Sequence, residues 1–391
     1  MVDTDQVVVV GAARTAIGTY GGSLAKIDSY KLGAITIKES LSRAGVEADE
    51  VDEVVMGQIG QVGPDAYNAR RCALEAGLPS STTAMNVNRL CSSGLQAIIT
   101  GAQQIMLGDA DIVVAGGNEN MSSQPFLDYQ ARDGWRLGPR KSIDGTLSLV
   151  TDPFGGYPMG TTAERVAERY NVSRSAQDRF AAESQHRAAV AIKEGLFEDQ
   201  IVGVERPKDD AFLVDEHPRP NTTEESLARL RPVFVKDGTV TAGNSSGIND
   251  GAASVVLMSE KVARARGAEP RLRLVAWAVS GIDPEVMGYA PALAIPAVLD
   301  KAGLTLDDID LIELNEAFAA QAVAVIRDAG LDPEKTNVSG GAIALGHPVG
   351  ATGTILAIKL MHALERTGGR RGIVTMCIGG GQGMAAIFER P

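Results

Sequence analysis

Cysteine is scarce in these 391 residues: Cys72, Cys91 and Cys377 are the whole supply. Three thiols cannot build a disulfide framework, and none stands in a Cys-x-x-Cys pair, so reduced thiols are expected. Histidine is nearly as sparse. His186, His217, His347 and His362 include no His-Glu-x-x-His and no zinc-finger spacing, so no metal is expected. Positive charge is in deficit, with a formal net charge of −12. That field excludes nucleic acid and anionic membrane surfaces as partners, because both demand a positive face. No apolar run approaches the roughly 20 residues of a membrane helix. The opening MVDTDQVVVV also lacks the basic-then-apolar order of a signal peptide, so a cytoplasmic location is expected.

What is present is ordinary globular composition, 44% hydrophobic and 22% charged, over a length that implies two or more packed units. The organisation lies in a repeat. RAGVEADEVDEVVMG (43–57) and KAGLTLDDIDLIELN (301–315) share Ala-Gly, a hydrophobic residue, an acidic pair and a following Asp at a constant offset of 258. A second pair, 85–117 and 336–381, repeats the order short strand, loop, helix, turn, apolar strand and Gly-Gly. DIVVAGG and RGIVTMCIGGG are continuous apolar runs, as strands covered on both faces require. Alternating strands and helices predict an α/β fold of two duplicated halves with pseudo-twofold symmetry, layered as helix and sheet.

Within the first helix, Leu95, Ile98, Ile99, Ala102, Ile105 and Met106 recur at helical spacing, and Gly108 stops it. The expected division is a first half over 1–119 completed by about 250–270, an inserted loop domain over 120–249, and a second half over 271–391. The insertion is polar, with two helical stretches. One opens on the Thr161–Glu164 capping-box pattern and the other ends at Gly195.

Three glycine-rich loops remain: CSSG (91–94), GGAIALGHPVG (340–350) and CIGGGQG (377–383). None is a G-x-G-x-x-G opening a helix, and no G-x-x-x-x-G-K-[ST] occurs, so dinucleotide and P-loop readings have little support. Glycine serves elsewhere to let backbone approach a ligand or present N–H groups to an oxyanion. Pseudo-twofold packing of the halves would bring these loops together. Cys91, His347, Asn315 and Cys377 would then share one cleft.

The motifs RTAIGTYGGSL, NRLCSSGLQAI, MGTTAERVAERY, TAGNSSGINDGAA, NEAFAAQA, GGAIALGHPVGATG and CIGGGQG occur in order over nearly the whole chain, which thereby resembles the thiolases. The resemblance implies reversible Claisen condensation of acyl-CoA with acetyl-CoA, or thiolysis of 3-ketoacyl-CoA, through an acyl-cysteine. Cys91 would be the nucleophile, its thiolate favoured by the helix N-terminus and a neighbouring histidine. His347 would be its base and Cys377 the second acid/base. Asn315, through a water, and His347 would face one thioester oxygen. The N–H groups of Cys91 and Gly379 would face the other.

By the same resemblance Arg219 and Ser246 contact coenzyme A, a co-substrate, with no tightly bound cofactor. Met159, Met287 and Phe318 line the acyl pocket, and the chain forms a homodimer or homotetramer, the segment around Trp135 making a tetramer contact. A short-chain substrate such as acetoacetyl-CoA is expected. A medium- or long-chain 3-ketoacyl-CoA thiolase is the alternative, because Pro158 stands where many short-chain members have histidine and Ala290 where the family usually has glycine. A non-catalytic acyl-CoA-binding protein is a third reading. Cys377 argues against a decarboxylating condensing enzyme, which uses two histidines instead. Cys72 is expected to pack, and Asn315 also suits a helix cap.

Overall fold

The computed structural model describes residues 6–206 and 209–391; the first five residues of the opening run lie outside them. Nine strands carry the architecture: β1 (Val7–Arg14), β2 (Glu53–Gly57), β3 (Thr83–Val87), β4 (Ile112–Asn120), β5 (Asn249–Ser259), β6 (Leu272–Gly281), β7 (Leu311–Leu314), β8 (Arg371–Ile378) and β9 (Gln382–Glu389). They form one sheet in the order β7-β8-β9-β6-β1-β5-β4-β2-β3. The order is read outward from the β6–β1 junction, where Val8 and Val9 pair with Arg273 and Leu272. Each half runs first strand, last strand, then the strands of the repeat. In both halves the repeated strands run parallel, β2 beside β3 and β4, and β7 beside β8. The second half's counterpart of β3 is reduced to a single bridge between Ile312 and Thr336.

Helices α1 (Ser29–Ala44), α2 (Asn68–Glu75) and α3 (Ser93–Leu107) accompany the first half. Helices α4 (Met159–Arg169) and α5 (Arg174–Lys193) belong to the insertion, and α6 (Pro291–Ala302), α7 (Ala319–Asp328) and α8 (Val349–Thr367) to the second half. The strands are apolar on both faces because both are covered. Val7, Val9, Val113, Ala115, Val255 and Leu257 enter a central core with α3 and α8. Their neighbours Val8, Val10, Ile112, Val114, Val256 and Met258 face α1 and α2. In the second half Val374, Met376 and Phe388 join the central core. Ile373, Ala385 and Ile387 face α6 and α7. Helices α3 and α8 are thus the shared middle layer, and α8 is buried nearly all round, as a helix with no solvent face must be.

Their close approach depends on glycine. A Cβ on Gly353 would sit 2.3 Å from the Leu95 backbone nitrogen, and one on Gly94 would sit 2.9 Å from that of Thr354. Gly353→Ala is therefore expected to force α3 and α8 apart and to lower unfolding stability by about 1–3 kcal/mol, as overpacking does. Chemical denaturation checks this, and unchanged stability would mean the helices yield freely.

The insertion holds more than two helices. It also contains the hairpins Phe126–Leu127 with Ile143–Asp144 and Val204–Arg206 with Asp209–Phe212, and the short helices Gly145–Leu149 and Glu224–Ala228. The expected capping box fails. Helix α4 starts two residues before Thr161, with Pro158 at its cap, and Glu164 accepts instead from the backbone N–H groups of Thr239 and Val240 at 2.8–2.9 Å. A distant loop that needed acceptors has taken the carboxylate. A buried bidentate pair, Arg14 with Asp215 at 2.8 and 2.9 Å, fastens the insertion to the end of β1. Among the described residues no helix is long and apolar enough to cross a membrane.

Candidate active site

Between β3 and α3 the chain makes a single 3-10 turn, Leu90–Ser92, that carries Cys91. Leu90 adopts φ +49°, a left-handed conformation costing a non-glycine residue about 1–2 kcal/mol. The polar residues of the motif hold it there. Asn88 Oδ1 accepts from the Leu90 N–H at 3.0 Å, and Ser93 Oγ accepts from the Arg89 N–H at 2.9 Å while donating to the Leu90 carbonyl at 2.7 Å. The turn packs against α8 and β8. Cys91 is partly accessible, whereas Cys72 and Cys377 are buried.

The expected resting thiolate is not what this environment favours. Cys91 packs against the apolar cluster of Ile59, Met121 and Val349, and burial pushes its thiol up, opposed by the N–H of Gly379 and its own. Helix α3 begins only at Ser93, and the neighbouring imidazole carries no charge to offer. His347 is buried, which pushes its pKa down to about 4. Burial therefore works against charge on both groups, and deprotonation of the thiol is expected to accompany attack.

His347 occupies the loop just before α8. Its backbone N–H donates to Asn249 Oδ1 at 2.9 Å, and Asn249 in turn donates to the Gly18 carbonyl at 3.0 Å. On the ring, Nδ1 stands 2.6 Å from Thr352 Oγ1 and Nε2 stands 3.4 Å from Asn315 Nδ2. Asn315 directly follows β7 and is fully buried, and its Oδ1 has no hydrogen-bond partner among the described residues. It does not cap α7, whose N-cap is Phe318. Close by, Glu119 accepts from the N–H groups of Ile59, Gly60 and Gly350 at 3.0 Å, tying the first half to the start of α8; burial pushes this carboxyl up to about 7.

Cys377 stands near the end of β8 in a cluster with Met287 and Ala317, against which Met159 and Phe318 pack. Burial first, and the sulfur of Cys91 second, push its thiol far above the ordinary range. The Gly379 N–H lies near enough to the Cys91 sulfur to hold its pKa down against burial. A Cβ at Gly379 would lie 3.2 Å from Met159 Cε and 3.4 Å from Leu90 Cδ1, crowding the space between them. The structure thus joins Asn315 to His347, Gly379 to Cys91, and Cys377 to the three pocket residues. Among the described residues no hydrogen bond joins Cys91 to His347; the Cys91 turn packs on α8, the helix that the His347 loop leads into, and Cys91 packs on the cluster that holds Val349.

The two coenzyme A candidates differ in their relation to this cluster. Arg219 is exposed, held by its backbone N–H to Gln185 Oε1 at 2.7 Å, and among the described residues its guanidinium makes no ion pair. Ser246 is half-buried and donates its N–H to the Ala317 carbonyl at 3.0 Å, next to the acyl cluster. Between them His217 lies so close to Gly247 that a Cβ there would be 2.4 Å from its ring. Sequence reasoning missed His217 and also Phe234, which covers Gly160 and stands edge-on to Phe318 at 6.1 Å. Asn249 and Thr352 were missed as well. Of the two departures, Pro158 is exposed at the cap of α4, while the methyl of Ala290 is buried against Gly383. No group of three His, Cys, Asp or Glu among the described residues is placed to hold a metal.

Comparison with known proteins agrees with this geometry. The model of the thiolase N-terminal domain matches residues 7–261, and that of the thiolase C-terminal domain matches 268–390. The β-ketothiolase BktB of Cupriavidus necator is 51% identical, covering 99% of this chain and 100% of its own. An acetyl-CoA acetyltransferase of Syntrophomonas wolfei is 48% identical, with 99% of each covered. Among solved structures, the Bacillus anthracis acetyl-CoA acetyltransferase superposes with a TM-score of 0.97 at 46% identity, covering 99% of both chains. The human mitochondrial 3-ketoacyl-CoA thiolase in complex with CoA superposes with a TM-score of 0.96 at 44% identity, covering 99% of this chain and 98% of that one. The chain belongs to the thiolase family and has its mixed α/β fold of N- and C-terminal domains.

Proposed function

We propose that this protein is an acetyl-CoA acetyltransferase, a β-ketothiolase that makes and cleaves short 3-ketoacyl-CoA thioesters. The observation that carries the reading is a partly accessible thiol whose turn packs on α8, a buried second thiol within reach of its charge, and a buried imidazole just before α8 bonded to a buried amide. In the thiolysis direction His347 takes the Cys91 proton as sulfur attacks the ketone carbonyl. The carbon–carbon bond breaks, and Cys377 gives its proton to the departing α-carbon, forming acetyl-CoA. A thiol held well above the ordinary range still carries that proton at neutral pH. The thiol of coenzyme A then attacks the Cys91 thioester and releases the shortened acyl-CoA. Asn315 with His347, and the N–H groups of Cys91 and Gly379, oppose the charge that develops on oxygen, where one donor contributes about 3 kcal/mol. Coenzyme A is the co-substrate, and no step calls for a tightly bound cofactor.

Met159, Met287, Phe318 and Phe234 are assigned to the acyl pocket, and Arg219 and Ser246 to coenzyme A. Their positions support a division in which residues 1–119 and about 250–270, and residues 271–391, form the two catalytic halves. The insertion over 120–249 then supplies ligand and subunit contacts. A homodimer or homotetramer fits the outermost strand β3, whose Thr83 and Met85 are exposed, and the exposed Phe126, Tyr129 and Leu137 around Trp135. The three free thiols fit a cytoplasmic protein. A panel of 3-ketoacyl-CoAs of increasing length, assayed with coenzyme A, tests the reading: acetoacetyl-CoA or another short chain should turn over fastest. Fastest turnover of long chains would reassign the substrate, and no turnover of any would end the proposal.

A further inference from the structure

We propose that Thr352 is a positioning residue that fixes the tautomer of His347, holding the proton on Nδ1 and leaving the Nε2 lone pair facing the reacting groups. The inference rests on His347 being the base, as argued above. A neutral imidazole has one N–H, and which nitrogen carries it is set by the partner of the other. Here burial keeps water from competing for either partner: Thr352 is 3% and His347 6% exposed. The Thr352 hydroxyl has a single proton, and it stands 2.9 Å from the Pro348 carbonyl, which can only accept. With that proton donated to Pro348, the remaining contact at 2.6 Å is Nδ1–H donating to Thr352 Oγ1. Across the ring, the Asn315 amide presents Nδ2, a donor, 3.4 Å from Nε2, a pairing that suits an unprotonated Nε2.

Among the described residues Thr352 makes no hydrogen bond to either sulfur of the reaction, so its effect would pass through the ring. Its place is also secure. It lies in the first turn of α8, four residues after the Pro348 carbonyl it bonds, and the Asn249 contact to the His347 N–H fixes the other end of the loop. No spacing rule points to this residue, because a threonine in a glycine-rich helix start reads as filler.

The chain has only four histidines, so nitrogen-15 NMR of histidine-labelled protein can assign the tautomer, with a His347→Asn variant identifying the signals. Wild-type protein and Thr352→Ser should show Nδ1 protonated. Thr352→Val, which keeps the shape without the hydroxyl, should show a tautomer mixture. Its rate of Cys91 acetylation by acetyl-CoA should fall about 10-fold or more, with little change in KM, while Thr352→Ser recovers most of the rate. Nε2 protonation in wild-type protein would overturn the proposal, as would wild-type acetylation by Thr352→Val or an equal loss in both variants. If Thr352→Val does not fold, the wild-type tautomer decides alone. Failure of wild-type Cys91 to become acetylated at all would instead strike the underlying catalytic reading, leaving the tautomer measurement to judge Thr352.

Discussion

Cys91→Ala protein should neither accept an acetyl group nor cleave acetoacetyl-CoA, a fall of about 10⁴-fold or more in kcat, because no other group can replace a covalent nucleophile. The competing thiol does not rescue it. Cys377 is fully buried and its pKa is displaced further upward than the ordinary thiol, whereas Cys91 is partly accessible and receives the Gly379 N–H. The fold should survive, since the Leu90 turn is held by Asn88 and Ser93 rather than by the cysteine. Mass spectrometry after brief exposure to acetyl-CoA checks the step: wild-type protein gains one acetyl group on the Cys91 peptide and the variant gains none. A wild type that gains none, with ligand binding unchanged in Cys91→Ala, would point to a binding protein that kept the fold.

Much of the fold could be read before any coordinates, and the reason is periodicity. The offset of 258 that aligns Gly57 with Asn315 reflects two strands at equivalent places, β2 and β7, each parallel to its neighbours in its own half-sheet. The four valines at 7–10 left no polar face to explain, because alternate side chains enter two different cores. The insertion was less legible. Its short hairpins and helices are held by long-range acceptors such as Glu164 and Asp215, and a local pattern like Thr-x-x-Glu does not reveal where a carboxylate will finally bond.

At the site, residue types with chemistry of their own were visible, whereas the groups that hold them were not. Asn249 is 98 positions from His347, and Glu119 is 231 positions from Gly350, separations over which no spacing rule operates. The charge on Cys91 is set by opposing effects of the same kind: a helix start favours a thiolate, whereas desolvation disfavours charge on both the thiol and the imidazole.

Cys377→Ala is expected to separate the two halves of the reaction. Acetylation of Cys91 by acetyl-CoA breaks a carbon–sulfur bond and asks nothing of a group at the α-carbon, so it should persist at close to its normal rate. Condensation to acetoacetyl-CoA and its cleavage both move a proton at that carbon. Without Cys377 they should fall by about 10²–10⁴-fold, the usual contribution of a positioned acid or base. The lost sulfur leaves a small void beside Met287 and Ala317, and a methionine is among the side chains best able to refill one, so stability should change little. Single-turnover acetylation measured beside steady-state thiolysis gives the comparison. Equal, modest losses in both would mean that Cys377 only packs, and that the proton at the α-carbon is carried by some other group in the cluster.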